Sequence, residues 1–438
     1  MSTISNQQLL DLLRSEVIPA IGCTEPIAVA LCVARAKELL GCEPEQIAVY
    51  LSKNVYKNAL AVGIPNTGMT GLPIAIALGA TVGKSEYMLE VLRDATPEAV
   101  AYAKEYMLRI PAQIHVNYQA PSILYIHAEV TANGKTAQAT IMDEHTHFVE
   151  ATGEANLQRS DLQPEGRSSA SVASDLHHSS LSLRRVYDFA TSVDTSELAF
   201  LVEGAQMNTE AAETSFADQY GHGLGRLLRS TTLSSTPEMK RLFGDTLFTK
   251  IISYTCGACD ARMSGAMVQV MSNSGSGNQG ISCSIPVYLY AKENNCNSEQ
   301  ILRALALSNL TVIYIKQSLG RLSALCGCVV AATGSAAGIT YLMGGNYEEI
   351  TYAIKNMIAN ISGMICDGAK PGCALKVTSG VATAIFSAYL AMQHSYAQAT
   401  EGIVEDDIDR TIRNLTRIGH DGMQVTDDLI LDIMTHKK

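Results

Sequence analysis

Five short segments of this 438-residue chain set cysteines beside turn-forming or polar residues. In ICDGAKPGCALK, Cys366 and Cys373 flank an Asp-Gly turn and a Lys-Pro-Gly turn, and LCGC holds Cys326 and Cys328 ahead of an apolar stretch. Such thiols serve as a redox pair, as metal ligands, or as small buried hydrophobes. Three thiolates can hold three irons of a cubane cluster and leave the fourth iron open as a Lewis acid. Spacing alone leaves this reading level with plain core packing.

In IGCTEPIAVALC, Cys23 stands just before Thr24, Glu25 and Pro26, at a helix start. A helix N-terminus favours thiolate, although packing with a threonine cap accounts for the same residues. TCGACDARMSG carries Cys256 and Cys259 as CxxC, but no second pair follows at metal-ligand spacing. An alternating strand would put His145 and His147 on one face, yet nothing joins them there. Both pairs are read as structural. MSNSGSGNQGISCSIP, rich in Gly, Ser and Asn, offers backbone N–H groups and amides to a carboxylate or other small anion. It lacks the GxxxxGK[ST] order of a nucleotide phosphate loop.

The elements that must position these residues fall into two blocks. Residues 6–18 have the spacing of an amphipathic helix interrupted by Pro19, IAVYLS (47–52) reads as a strand, and TPEAVAYAKEYML (96–108) as a capped helix. Between 113 and 151 the segments QIHVNY, ILYIHAEVTA, TAQATIMD and HTHFVEA alternate polar and apolar residues, with a hairpin signal at Asn133-Gly134. They predict a small antiparallel meander. The expected fold class is α+β: an N-terminal α/β domain over 1–152, a Ser-rich linker or mobile loop over 153–185, and a large, mainly helical domain over 186–438 that would carry the chemistry.

Composition narrows the function classes. Nearly half of the residues are apolar (47%) and the formal charge is −11 with no basic tract, which argues against nucleic-acid binding. The polar N-terminus lacks the features of a signal peptide, so a cytoplasmic location is expected. Eleven cysteines without a secretion signal point to ligands, catalysts or core filler rather than a disulfide framework. Residues 325–345 carry no formal charge, but their Ala, Gly, Ser and Thr content favours a buried helix over a membrane span.

GCTEPIAVA, SGSGNQGI, the apolar Cys-containing segment ending in Gly344-Gly345, CDGAKPGCALK and the closing IGHDGMQVTDD occur in family order. Together they resemble the L-cysteine desulfidase family, a bacterial and archaeal family related to the alpha chain of iron–sulfur L-serine dehydratases. The resemblance implies a 4Fe-4S cluster held by Cys326, Cys366 and Cys373 with one open iron, Cys328 being the alternative to Cys326. It implies Cys23 as proton acceptor. The reaction would be elimination of sulfide from L-cysteine, with serine or threonine dehydration, or a non-catalytic amino-acid sensor, as alternatives. Substrate carboxylate and ammonium would be gripped by Ser274, Ser276 and Asn278 and by Lys53, Asn54, Lys57 and Asn58, the latter run being otherwise a solvated strand end. The expected partner is a small amino acid, with no nucleic acid and no membrane, and the expected assembly is a homodimer.

Overall fold

Two large hydrophobic cores organise the computed structural model, which describes residues 4–153, 181–234 and 236–437. Helix α1 (Asn6–Glu16) starts at a capping box: Ser5 accepts from the Gln8 N–H, and the Gln8 side chain accepts from the Ser5 N–H. Its Leu9, Leu10, Leu12 and Leu13 are buried in the core of the C-terminal helices, not in that of the N-terminal sheet. Pro19 ends the helical pattern. Residues Pro19–Ile21 (β1) then pair antiparallel with Gln269–Met271 (β7), a ribbon of three residues a side that no periodicity announces.

The N-terminal core is laid around α2 (Thr24–Leu40), which is buried on nearly all sides between α4 (Leu72–Thr81) and the sheet. Strand order is β3-β2-β4-β5-β6, with β2 at Gln46–Ser52, β3 at Gln113–Asn117, β4 at Tyr125–Ala132, β5 at Lys135–Met142 and β6 at Phe148–Thr152. The last three form the expected meander. Asn133 and Gly134 both adopt positive φ (53° and 74°), as a two-residue hairpin turn demands. QIHVNY departs from the expectation and pairs parallel with β2, because the helices between them, ending in α5 (Pro97–Arg109), return the chain in the same direction. HTHFVEA departs as well. Residues 143–147 form the β5–β6 turn, and the strand begins only at Phe148, so His145 and His147 do not alternate along a strand.

The expected Ser-rich segment lies largely outside the described residues. Where description resumes, Ser182 accepts from the Arg185 N–H and starts α6 (Leu183–Ser192). Helices α7 (Ala199–Ala217) to α17 (Gln424–Thr435) follow, giving the mainly helical second part. At its centre α13 (Gly327–Leu342) packs against α10 (Leu247–Met263), α11 (Gly277–Glu293), α12 (Ser298–Leu319), α14 (Tyr347–Ile361) and α15 (Cys373–Met392) either directly or through their shared core. Small residues permit this approach: a Cβ at Gly334 would stand 2.5 Å from the Ser308 carbonyl oxygen of α12. The chargeless stretch 325–345 therefore becomes a buried helix of 16 residues. Among the described residues one helix, Cys373–Met392, is long and apolar enough to cross a membrane by length and composition, and 44% of its most apolar window is buried.

Beyond Ser52, which ends β2, the SKNVYKN run is not strand, and most of its polar side chains are not solvated. It forms α3 (Lys53–Ala59), in which Asn54, Lys57 and Asn58 are buried. The Lys57 ammonium pairs with the Asp427 carboxylate on α17, and Asn54 Nδ2 donates to the same carboxylate at 2.8 Å. This ion pair locks the C-terminal helix onto the N-terminal domain. Lys57→Met should therefore destabilise by about 3–5 kcal/mol, because it strands a buried carboxylate. Lys57→Met with Asp427→Leu should recover most of that loss. Chemical denaturation reads both, and an unchanged midpoint for the single variant would contradict the role given to the pair.

Candidate functional site

One cavity gathers most of the residues picked out by type and spacing. Cys23, Glu25, Asn58, Arg262, Ser276, Asn278, Gln279, Lys316, Cys326, Cys328, Cys366 and Cys373 all line it. The thiol wall follows from local structure. Leu325 and Ile365 form an isolated antiparallel bridge, with the Cys326 N–H donating to the Met364 carbonyl (2.9 Å) and the Cys366 N–H to the Ala324 carbonyl (2.7 Å). Two segments far apart in sequence are thereby stapled at the cysteines. Cys326 is the N-cap of α13, and Cys373 is the first residue of α15 after the Lys-Pro-Gly turn. Gly368, at φ 85°, lets this turn touch α3: a Cβ there would meet the Lys57 carbonyl oxygen at 2.6 Å.

The thiols differ in electrostatics. A hydrogen bond from Cys328 draws Cys326 down to about 7 against the cost of burial, with Lys376 and Lys370 assisting. Cys328 is correspondingly pushed well above its ordinary value, first by that same hydrogen bond and then by burial. Burial raises Cys366 to about 11 and also raises Cys373. In the CxxC segment, Cys256 and Cys259 sit inside α10, fully buried, and burial raises both. Neither lines the cavity.

Cys23, which lines the same cavity, is the N-cap of α2, as its position ahead of Thr24 suggested. Its thiol nevertheless behaves opposite to the helix-end expectation. Burial, and then the Glu25 carboxylate, push it well above its ordinary value, so the resting form is the thiol. Cys23 Sγ donates to Glu25 Oε2 at 3.1 Å, Thr24 Oγ1 donates to the same oxygen at 3.1 Å, and Asn58 Nδ2 donates to Oε1 at 2.9 Å. Burial works to raise the Glu25 carboxyl, but neighbouring His145 and these donors outweigh it and hold it low. Burial takes His145 down to about 4, leaving its imidazole neutral near pH 7. Cys23 and Glu25 thus share one proton and one negative charge.

The expected substrate-binding residues divide by position. Asn58, Ser276 and Asn278 line the cavity, whereas Ser274 donates to Asn273 Oδ1 at 2.8 Å, Lys53 pairs with Asp428 toward solvent, and Asn54 and Lys57 are committed to Asp427. Residue types alone did not single out Arg262, Glu25 and Lys316, and offered Gln279 only as part of the Gly-rich loop. Arg262 is 1% exposed; its Nη1 donates to Asn278 Oδ1 at 3.0 Å, while Nε and Nη2 have no partner. Gln279 Oε1 and Asn58 Oδ1 are likewise buried without a partner. Burial, then repulsion from Arg321, lowers Lys316 to about 8. An arginine within the CxxC segment was the available signal, because a buried guanidinium demands an acceptor.

Among the described residues, no three His, Cys, Asp or Glu side chains close around a single metal ion. The donor set instead fits a multi-iron cluster, whose ligands stand farther apart: soft thiols on two stapled segments face one cavity, with the cations of Lys57, Lys370 and Lys376 acting on them. Cys326, Cys366 and Cys373 would be the ligands, Cys326 being the cysteine whose backbone is stapled to the segment that carries Cys366.

Residues 86–432 match the family described as serine dehydratase alpha chain, which makes a dehydratase-type lyase chain the class of this protein. The chain belongs to that family and, within it, to the UPF0597 proteins. A UPF0597 protein of Phocaeicola vulgatus is 56% identical over 432 residues, covering 99% of this chain and 98% of its own length. Relatives under the same name in Bacteroides fragilis and Oleidesulfovibrio alaskensis are 54% and 42% identical, over 100% and 98% of both chains.

Proposed function

We propose that the protein is an iron–sulfur-dependent L-cysteine desulfidase, eliminating sulfide from L-cysteine to leave aminoacrylate, which hydrolyses to pyruvate and ammonia. One observation carries the reading: a single cavity is lined both by the hydrogen-bonded Cys23–Glu25 pair and by Cys326, Cys366 and Cys373. Elimination needs a base at Cα–H and help for the leaving group at Cβ, both within reach of one small molecule. When bound, a cluster with an open iron would supply Lewis acidity toward the departing sulfur.

The chain's own residues handle the proton. Cys23 Sγ takes the α-proton as its own proton passes to Glu25 Oε2, so no free thiolate has to form in the resting site. Thr24 and Asn58 hold the carboxylate in place for that transfer. The cluster is a proposal that rests on the donor set and on the resemblance to iron–sulfur dehydratases. Serine dehydration is the second reading, supported by the family match, since the same pair would remove the same α-proton with hydroxide as leaving group.

Anaerobic purification and reconstitution provide the test. The expected outcome is a brown protein with iron bound, releasing sulfide and pyruvate together from L-cysteine. Pyruvate from L-serine with no sulfide from L-cysteine would replace the desulfidase reading by the dehydratase one. A colourless protein that binds L-cysteine without turnover after reconstitution would leave a sensor.

A further inference from the structure

Buried polar groups without partners are rare in folded proteins, and those in this cavity are complementary to one kind of ligand. Arg262 presents two vacant donors, Nε and Nη2, and Asn58 and Gln279 present vacant amide oxygens, with all three residues lining the same space. The Asn58 orientation is fixed by its Nδ2 donating to Glu25, a carboxylate that can only accept. Asn278 Oδ1 fixes the guanidinium from one side. From another, Arg262 packs on the first turn of α11, where a Cβ on Gly277 would stand 2.3 Å from Nε and 2.6 Å from Cζ. The N-cap of this 17-residue helix, Ser276, makes no side-chain capping bond and lines the cavity too. A fixed guanidinium and an uncapped helix N-terminus therefore face the same space, and both favour an anion.

We infer that Arg262 and the first turn of α11 hold the carboxylate of a zwitterionic α-amino acid, while the amide oxygens of Asn58 and Gln279 accept from its ammonium. This rests on the lyase reading for what happens next, not for the binding itself. Held in this way, the ligand is fixed at both polar ends, and Cα lies between Arg262 and the Asn58–Glu25–Cys23 chain. Amines without a carboxylate and acids without an ammonium would leave part of the set unpaired. The site thereby selects amino acids over their decarboxylated or deaminated analogues.

Calorimetry on the anaerobically reconstituted protein, with L-alanine as a probe that has no leaving group, tests the assignment. Wild type should bind L-alanine and discriminate strongly against ethylamine and propionate. Arg262→Gln should weaken L-alanine binding by roughly 30- to 1,000-fold, the effect of losing one partner of a buried charge pair. Gly277→Ala, which keeps the charge but displaces the guanidinium, should weaken it in the same direction, and Arg262→Lys should lie between. Arg109→Ala, at an exposed ion pair with Glu43, should leave binding unchanged. L-Alanine bound equally by wild type and a folded Arg262→Gln, or not bound by wild type at all, would overturn the inference. Arg262-dependent binding without sulfide or pyruvate release would sustain it while removing the lyase reading. With turnover present, a KM for L-cysteine unaffected by Arg262→Gln would do the reverse.

Discussion

Cys326→Ala is expected to lose nearly all iron and all sulfide release, whereas Cys328→Ala, two residues away, should keep both. The proposed cluster reading favours Cys326 over Cys328, two cysteines that spacing alone cannot separate. Cys328 donates its S–H to Cys326, which lowers the Cys326 thiol to about 7 and leaves Cys328 protonated. A soft metal takes the deprotonated sulfur. Cys326 is also tied by its N–H to the segment that carries Cys366. Losing the donor at Cys328 should weaken metal affinity by about 10- to 100-fold, the usual scale for a group that orients a ligand, without emptying the site. Cys366→Ala and Cys373→Ala should behave like Cys326→Ala. Iron per chain and visible absorbance after anaerobic reconstitution read the series. Iron lost from Cys328→Ala but kept by Cys326→Ala would exchange the two assignments.

Local signals survived folding where the physics was local. Thr96 caps α5 by accepting from the Ala99 N–H, Asn133-Gly134 makes its hairpin, and the turns around Cys366 and Cys373 bring both thiols to the cavity. What the sequence could not display were partners supplied by distant segments. Arg262 is one arginine in an apolar helix until folding buries it in the lining of the cavity with two of its nitrogens unpaired. The polar run at 52–58 read as a substrate grip or a solvated strand end because Asp427, which neutralises Lys57, stands far along the chain. For Cys23 the position was legible and its electrostatics were not: desolvation and Glu25 outweigh the helix end, and both depend on burial. Strands β1 and β7 escaped notice because three residues a side carry too little alternation to rise above their surroundings.

Glu25→Gln is expected to lower kcat by about 10²- to 10⁴-fold near pH 7, the scale for losing a positioned base, with little effect on iron content. The substituted amide could still accept one hydrogen bond from Cys23 but could not take its proton. The pH profile distinguishes this from a packing defect. In wild type the carboxylate is held below its ordinary value, so activity should be sustained through mildly acidic pH and fall only as pH drops through that lowered value. In Glu25→Gln the only remaining base is Cys23, whose thiol burial keeps high, so activity should climb with pH through the alkaline range instead of levelling near neutrality. Cys23→Ala should lose activity at every pH, since no sulfur then stands between Cα and Glu25. A Glu25→Gln profile that parallels wild type at reduced height would assign Glu25 to positioning alone. It would leave Cys23 to ionise unaided against its own burial, at a cost of about 1.4 kcal/mol for each pH unit that separates its thiol from the medium.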